Sequence, residues 1–137
     1  MPADTVHEIL HPRNWKPTPG YSLGIAAQGR VLFLGGLIGW NADQEFETDD
    51  FVEQVEQTLR NIVAVLEEGG AGPEHLVRLT WYVTDKQEYL ARLREMGQVY
   101  RAVIGKSFPA MALVQVADLV EDRAKVEIEA TAVVPET

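Results

Sequence analysis

Two stretches of this chain are apolar at both alternations of a strand, and they constrain the fold more than any other feature. In Arg30–Ile38 one parity carries Val31, Phe33, Gly35 and Leu37, and the other Leu32, Leu34, Gly36 and Ile38. Pro109–Val116 is also mostly apolar in both parities. Successive strand residues point to opposite faces, so a strand with one wet face should alternate. Both stretches therefore read as central strands of a sheet covered on its two sides.

The remaining pattern supplies cover for one side only. Phe51, Val55, Leu59, Ile62 and Leu66 recur at helical spacing. Thr48 is the expected N-cap, with Asp49 and Asp50 in the first turn, and Gly69-Gly70 the stop. Leu76–Thr84 reads as a strand. Asp85 and Glu88 form a capping-box pattern that opens a second helix with the stripe Tyr89, Leu93, Met96, Tyr100 and Val103, closed by Gly105. Tyr21–Ala27 and Arg30–Ile38, parted by Gln28-Gly29, carry a hairpin signal. Ala124–Val134 is the last strand, after the polar turn Asp118–Arg123. The order predicts an α+β fold, a single sheet of about six strands with two helices on one face. A second copy of the chain is then expected on the other face. Each large aliphatic left exposed forgoes roughly 1.5–3 kcal/mol, and soluble monomers rarely keep such a patch open. The pattern gives an oligomer but not its subunit number.

The 137 residues fit one domain, residues 1–137, with no repeat or linker. Cysteine is absent, which removes disulfides, thiolate nucleophiles and cysteine-ligated metals. A net charge of −9 without a basic block disfavours nucleic acid as a partner. No apolar run is long enough for a membrane span. Met1–Leu10 carries Asp4, His7 and Glu8 and lacks the pattern of a signal peptide, so a cytoplasmic location is expected. His7, His11 and His75 make no metal site: Pro12 keeps the first pair from helical spacing, and no third ligand is evident.

Several segments together resemble one family. They are Pro19-Gly20-Tyr21-Ser22, Leu32-Phe33-Leu34-Gly35-Gly36-Leu37-Ile38 and Glu67-Glu68-Gly69-Gly70-Ala71. Further along come Leu79-Thr80-Trp81-Tyr82-Val83-Thr84-Asp85, Phe108-Pro109-Ala110 and Val126-Glu127-Ile128-Glu129-Ala130. In order and spacing, from about Gly20 to Val134, the chain is similar to the RidA (YjgF-like) reactive-intermediate deaminases. The resemblance implies a chorismate-mutase-like fold and a homotrimer with a central barrel and a small-molecule cleft at each subunit interface. It also implies hydrolysis of imines or enamines with release of ammonia, without metal or organic cofactor. Residue by residue, it puts the water-positioning glutamate at Glu127 and a pocket tyrosine at Tyr21. A serine-glycine pair becomes Gly35-Gly36. An arginine that would grip a substrate carboxylate in a bidentate fork becomes Met111, and a helix asparagine becomes Gly97.

Three polar groups are thus replaced, and simple 2-imino acids are not the expected substrates. A variant imine/enamine hydrolase is the first reading, and a non-catalytic ligand-binding or interaction trimer is the alternative. Taken from the residues alone, Glu127 and Glu129 share a strand face with Lys125 and Thr131 and fit a solvated or ion-paired surface. Trp81 and Trp40 fit a core and a loop anchor, or the lining of an aromatic cleft. Arg78, Arg101 and Arg123 could each replace the lost cation, and spacing selects none of them.

Overall fold

The computed structural model describes residues 6–136; Asp4, used above, lies outside them. Helix α1 (Phe51–Glu68) buries the whole expected stripe, with Phe51 at 1% exposure and Val55, Leu59, Ile62 and Leu66 at zero. Its N-cap is Asp50, not Thr48: the Asp50 carboxylate accepts from the Glu53 N–H at 3.0 Å. Thr48 supports that cap from two residues earlier, accepting from the Asp50 N–H. At the other end Gly70 takes φ 73°, and the N–H groups of Gly70 and Ala71 return to the carbonyls of Glu67 and Leu66. This is a Schellman stop, and the positive φ explains the glycine.

The sheet differs from the expected one. It has four strands in the order β3 (Arg30–Ile38), β6 (Val126–Val134), β4 (Leu76–Val83) and β5 (Ala110–Gln115). β4 and β5 are parallel and the other pairs antiparallel. β1 (Glu8–Leu10) and β2 (Gly24–Ala26) form a separate antiparallel ribbon. Its continuation, Ser22, bridges Ala110 beside β5. The expected hairpin between β2 and β3 does not form, because β2 pairs with β1 and β3 with β6. The two doubly apolar stretches are β3 and β5, the outer strands of the four. The central strands are β6 and β4.

One side of the sheet is sealed by helices. Leu79, Trp81 and Val83 of β4, with Val126, Ile128, Ala130 and Ala132 of β6, are at most 5% exposed. They pack against α1 and against Met96 and Tyr100 of α3 (Leu93–Val103). The opposite side is open. Its centre carries Arg78, Thr80 and Tyr82 of β4 and Glu127, Glu129 and Thr131 of β6. Its flanks carry exposed Val31 and Val114, and Phe33 is 82% exposed. The open face is therefore polar in the middle and apolar at its rims, not apolar throughout.

The expected second helix is two helices. α2 (Lys86–Ala91) is capped by Asp85, which accepts from the Gln87 and Glu88 N–H groups. The helix breaks at Arg92, whose φ of −126° is not helical, and α3 follows. Arg92 is held in that break by Asp50 and by Glu95, which it meets at 3.0 and 2.7 Å. Its guanidinium thereby ties the break to the cap of α1. The bond from Arg92 holds both the Asp50 and the Glu95 carboxyl below their usual range. No helix among the described residues is long and apolar enough to cross a membrane.

The helix layer is also pinned by polar groups inside it. Gln54 is fully buried, donates to the Thr48 and Arg123 carbonyls at 3.1 and 3.0 Å, and accepts from the Lys125 N–H at 2.9 Å. Asn61 donates to the Ile38 and Trp40 carbonyls, both at 2.9 Å, fixing the end of β3. Gln54→Leu keeps the volume and strands one N–H and two carbonyls. It is expected to cost about 2–4 kcal/mol in a denaturant titration. Arg92→Gln should destabilise at neutral pH. Carboxylates with lowered folded pKa values stabilise above their unfolded values, here 3.8 and 4.5, and lose that contribution as pH falls through the folded ones. The melting-temperature gap between wild type and Arg92→Gln should therefore hold from neutral pH to about pH 5 and narrow below that, toward about pH 2.

Candidate functional site

Three of the expected site residues meet at one cavity of about 510 Å³ on the helix side of β5. Tyr21 enters from the loop before Ser22, whose N–H and hydroxyl bond to the carbonyls of Pro109 and Phe108. Met111 pairs with Leu79 and Leu113 with Trp81, so both β5 side chains face the helices. Gly97 contributes from α3.

The rest of the wall is aromatic and aliphatic: Trp81, Tyr89, Leu93, Met96, Tyr100 and Phe108. Tyr100 stacks on Phe108 with centroids 5.6 Å apart, and its hydroxyl donates to the Ser107 carbonyl at 2.6 Å. Burial pushes the phenols of Tyr89 and Tyr100 up, so both stay neutral. Trp81 is only 5% exposed, and its buried indole N–H has no partner among the described residues. Arg101 lies at this wall and is its one charged residue among those described. The size and mostly apolar lining suit a small organic molecule.

The other three expected residues gather on the opposite, open side of the sheet. Glu127 pairs with Tyr82 across the β4–β6 ladder and with Ile38 across β3. The β3–β6 register slips between Leu34 and Leu37, which places Gly35 and Gly36 in a bulge. A Cβ on Gly36 would overlap the Glu127 carboxylate, so the glycine leaves that carboxylate room to lie across the bulge. Gly35 borders a shallow depression with Phe33, Arg78 and Glu129. The Tyr82 hydroxyl donates to Glu129 at 2.7 Å. That bond, then desolvation and the charges of Glu129 and Glu127, raises the Tyr82 pKa. Glu127 is half-buried and has no side-chain hydrogen bond among the described residues. Within one chain, then, Tyr21, Gly97 and Met111 lie on one side of the sheet and Gly35, Gly36 and Glu127 on the other.

The other residues singled out in the sequence separate clearly. Trp40 packs on Phe46 at 5.9 Å as a loop anchor. Arg123 is engaged with Asp49 and covers Phe46. His7 contacts the His75 carbonyl, and His75 accepts from the Gly72 N–H. No group of three metal-ligating side chains occurs among the described residues. Tyr89, Leu93, Met96 and Tyr100 read as a core stripe and in fact also line the cavity. Leu113 gave no signal beyond hydrophobicity, and Phe108 none beyond its place in the Phe108-Pro109-Ala110 segment.

A helix-backed sheet with an apolar cavity at its parallel outer strand defines a small α+β protein. The chain belongs to the family described as endoribonuclease L-PSP, whose pattern matches residues 12–134. It is 34% identical over 130 residues to a RutC family protein of Aquifex aeolicus, covering 93% of this chain and 99% of that one. It is 39% identical over 135 residues to the protein DfrA of Myxococcus xanthus, covering 97% of each. Among solved structures it is similar to YyfB of Yersinia pestis, a Rid family protein of unknown function. The TM-score is 0.84 at 30% identity, over 93% of this chain and 98% of that one. RidA of a Psychrobacter species gives a TM-score of 0.67 at 28% identity, over 87% and 92%.

Gly97 is interior to α3, and a Cβ there would meet only the Arg101 guanidinium, at 3.6 Å. Packing does not demand the glycine. Gly97→Ala should therefore stabilise the protein by about 0.5–1 kcal/mol, read by denaturant unfolding.

Proposed function

We propose that this protein is a homotrimeric imine/enamine hydrolase that needs no cofactor and whose working cleft is built by two subunits. The observation that carries the reading is the division of the site into two halves on opposite sides of one sheet. A helix-side half without an acid and an open-side half with an unengaged glutamate cannot act on one small molecule within one chain. Apposed copies would bring the Tyr21, Gly97 and Met111 half of one subunit to the Gly35, Gly36 and Glu127 half of the next. The exposed rims at Val31, Phe33 and Val114 would be covered by the same association.

In that cleft Glu127 takes a proton from water as the oxygen attacks the imine carbon. The C–O bond forms and the C=N π electrons move to nitrogen. The proton then returns to nitrogen to give a carbinolamine. Its hydroxyl passes the second proton, again through Glu127, to the same nitrogen as the C=O bond forms and the C–N bond breaks, and a carbonyl compound and ammonia leave. An enamine is first protonated at carbon and joins the same path. Tyr21 contacts the substrate, and Met111 makes an apolar wall where the resemblance would put a carboxylate-binding arginine. Gly36 gives the Glu127 carboxylate its place.

Ammonia release tests this. 2-Iminobutanoate and a muconate-type enamine are generated in situ with and without the protein. Release from the enamine is expected to exceed that from 2-iminobutanoate, and Glu127→Gln to lower it by about a hundredfold or more. Catalysis unchanged in Glu127→Gln would overturn the assigned role. No rate above background on either compound, with ligand still bound, would establish the binding trimer instead, which the loss of polar groups at Gly35, Gly97 and Met111 favours.

A further inference from the structure

Resting on that reading of the cleft, we propose that Arg101 receives the anionic end of the substrate. The substrate class is then an imine or enamine whose carboxylate is set apart from the reacting carbon by an apolar chain or ring. The first observation is electrostatic. The chain has 21 acidic and 12 basic residues, yet among the described residues the cavity wall holds no carboxylate and a single cation. The part of the cleft that one chain supplies thus offers an anion a cation and no repelling carboxylate, and the only acid the proposed trimer brings there is the one assigned to the reacting carbon. The second is that the cation is uncommitted. Arg60, Arg92, Arg123 and Lys125 each lie within 4.0 Å of a carboxylate, whereas Arg101 forms no ion pair among the described residues.

The third observation is steric. Arg101 stands one helical turn beyond Gly97, and its Nη1 lies 3.6 Å from where a Gly97 Cβ would be. The guanidinium thus folds back along α3 over the bare glycine, toward the cavity. Any polar side chain longer than a methyl at 97 would contend for that space. The glycine and the arginine therefore form one device.

The location changes which ligands fit. Met111 sits on the sheet wall and cannot pair with a carboxylate, whereas Arg101 sits on the helix wall across from it. A carboxylate drawn to α3 leaves the apolar middle of the ligand against Trp81, Phe108 and Met111. A 2-imino acid, with its acid on the reacting carbon, is too short to fill both places. Arg101 is a specificity residue in this account and takes no part in bond making.

Calorimetric titration of the full-length protein with 3-phenylpropanoate, 3-phenylpropanamide and pyruvate tests the proposal apart from turnover. 3-Phenylpropanoate is expected to bind about tenfold tighter than its neutral amide, and tighter than pyruvate. Arg101→Gln should reduce the propanoate to the level of the amide and leave the amide unchanged, and Arg101→Lys should restore part of the difference. Arg101 is exposed, so an unchanged melting curve shows that the variants fold. Equal affinity for acid and amide, no binding of either, or a preference that survives Arg101→Gln would overturn the assignment. Ammonia release unaffected by Arg101→Gln, for every carboxylate-bearing imine tried, would overturn it too while leaving the hydrolase reading intact. A preference dependent on Arg101 in a protein that releases no ammonia would support it and sink the hydrolase instead.

Discussion

A sheet has two faces, and this chain has helices for only one of them. α1 and α3 remove Leu79, Val83, Val126 and Ile128 from water completely. Nothing among the described residues covers Phe33, at 82% exposure, or the rims at Val31 and Val114. The same division sorts the chemistry: the apolar cavity opens among the helices, and the acid that could handle water stands on the open side. In the proposed trimer the hydrophobic effect would act on the uncovered rims, and association would also unite the two halves of the site.

The polar contacts within the helix layer make this arrangement definite. Gln54 joins the start of α1 to the entrance of β6, Asn61 holds the end of β3, and Arg92 binds the α2–α3 break to the α1 cap. Each replaces water with a specific partner at a chain end that would otherwise fray. The break at Arg92 sets the course of the α2–α3 segment over β5, where the cavity lies.

Local periodicity was legible in the sequence, and long-range pairing was not. The α1 stripe is one residue type recurring on one face, and all five of its members are buried. The Thr48 and Asp50 choice turned on which of two nearby caps wins, a matter of two residues. The split of the second helix depended on Arg92 meeting Asp50, 42 residues away. The absent hairpin and the four-strand order depended on β6, the last strand, inserting between β3 and β4, which no local pattern announces. Apolar parity misled in one specific way. β3 and β5 look central because both faces are hydrophobic, but they are outer strands of this sheet, and Thr80, Glu127 and Glu129 occupy the real centre. The same ambiguity hid which face Met111 takes. Tyr21, Gly97 and Met111 nonetheless line one cavity. Arg101 was visible as one of three candidate cations, and only its place on the cavity wall selects it.

The account stands on the uncovered face requiring further copies of the chain. Sedimentation velocity of the full-length protein at micromolar concentration tests this most directly. One species near three times the 15.3 kDa of a single chain is predicted. A folded species of 15.3 kDa that persists across that concentration range would contradict it.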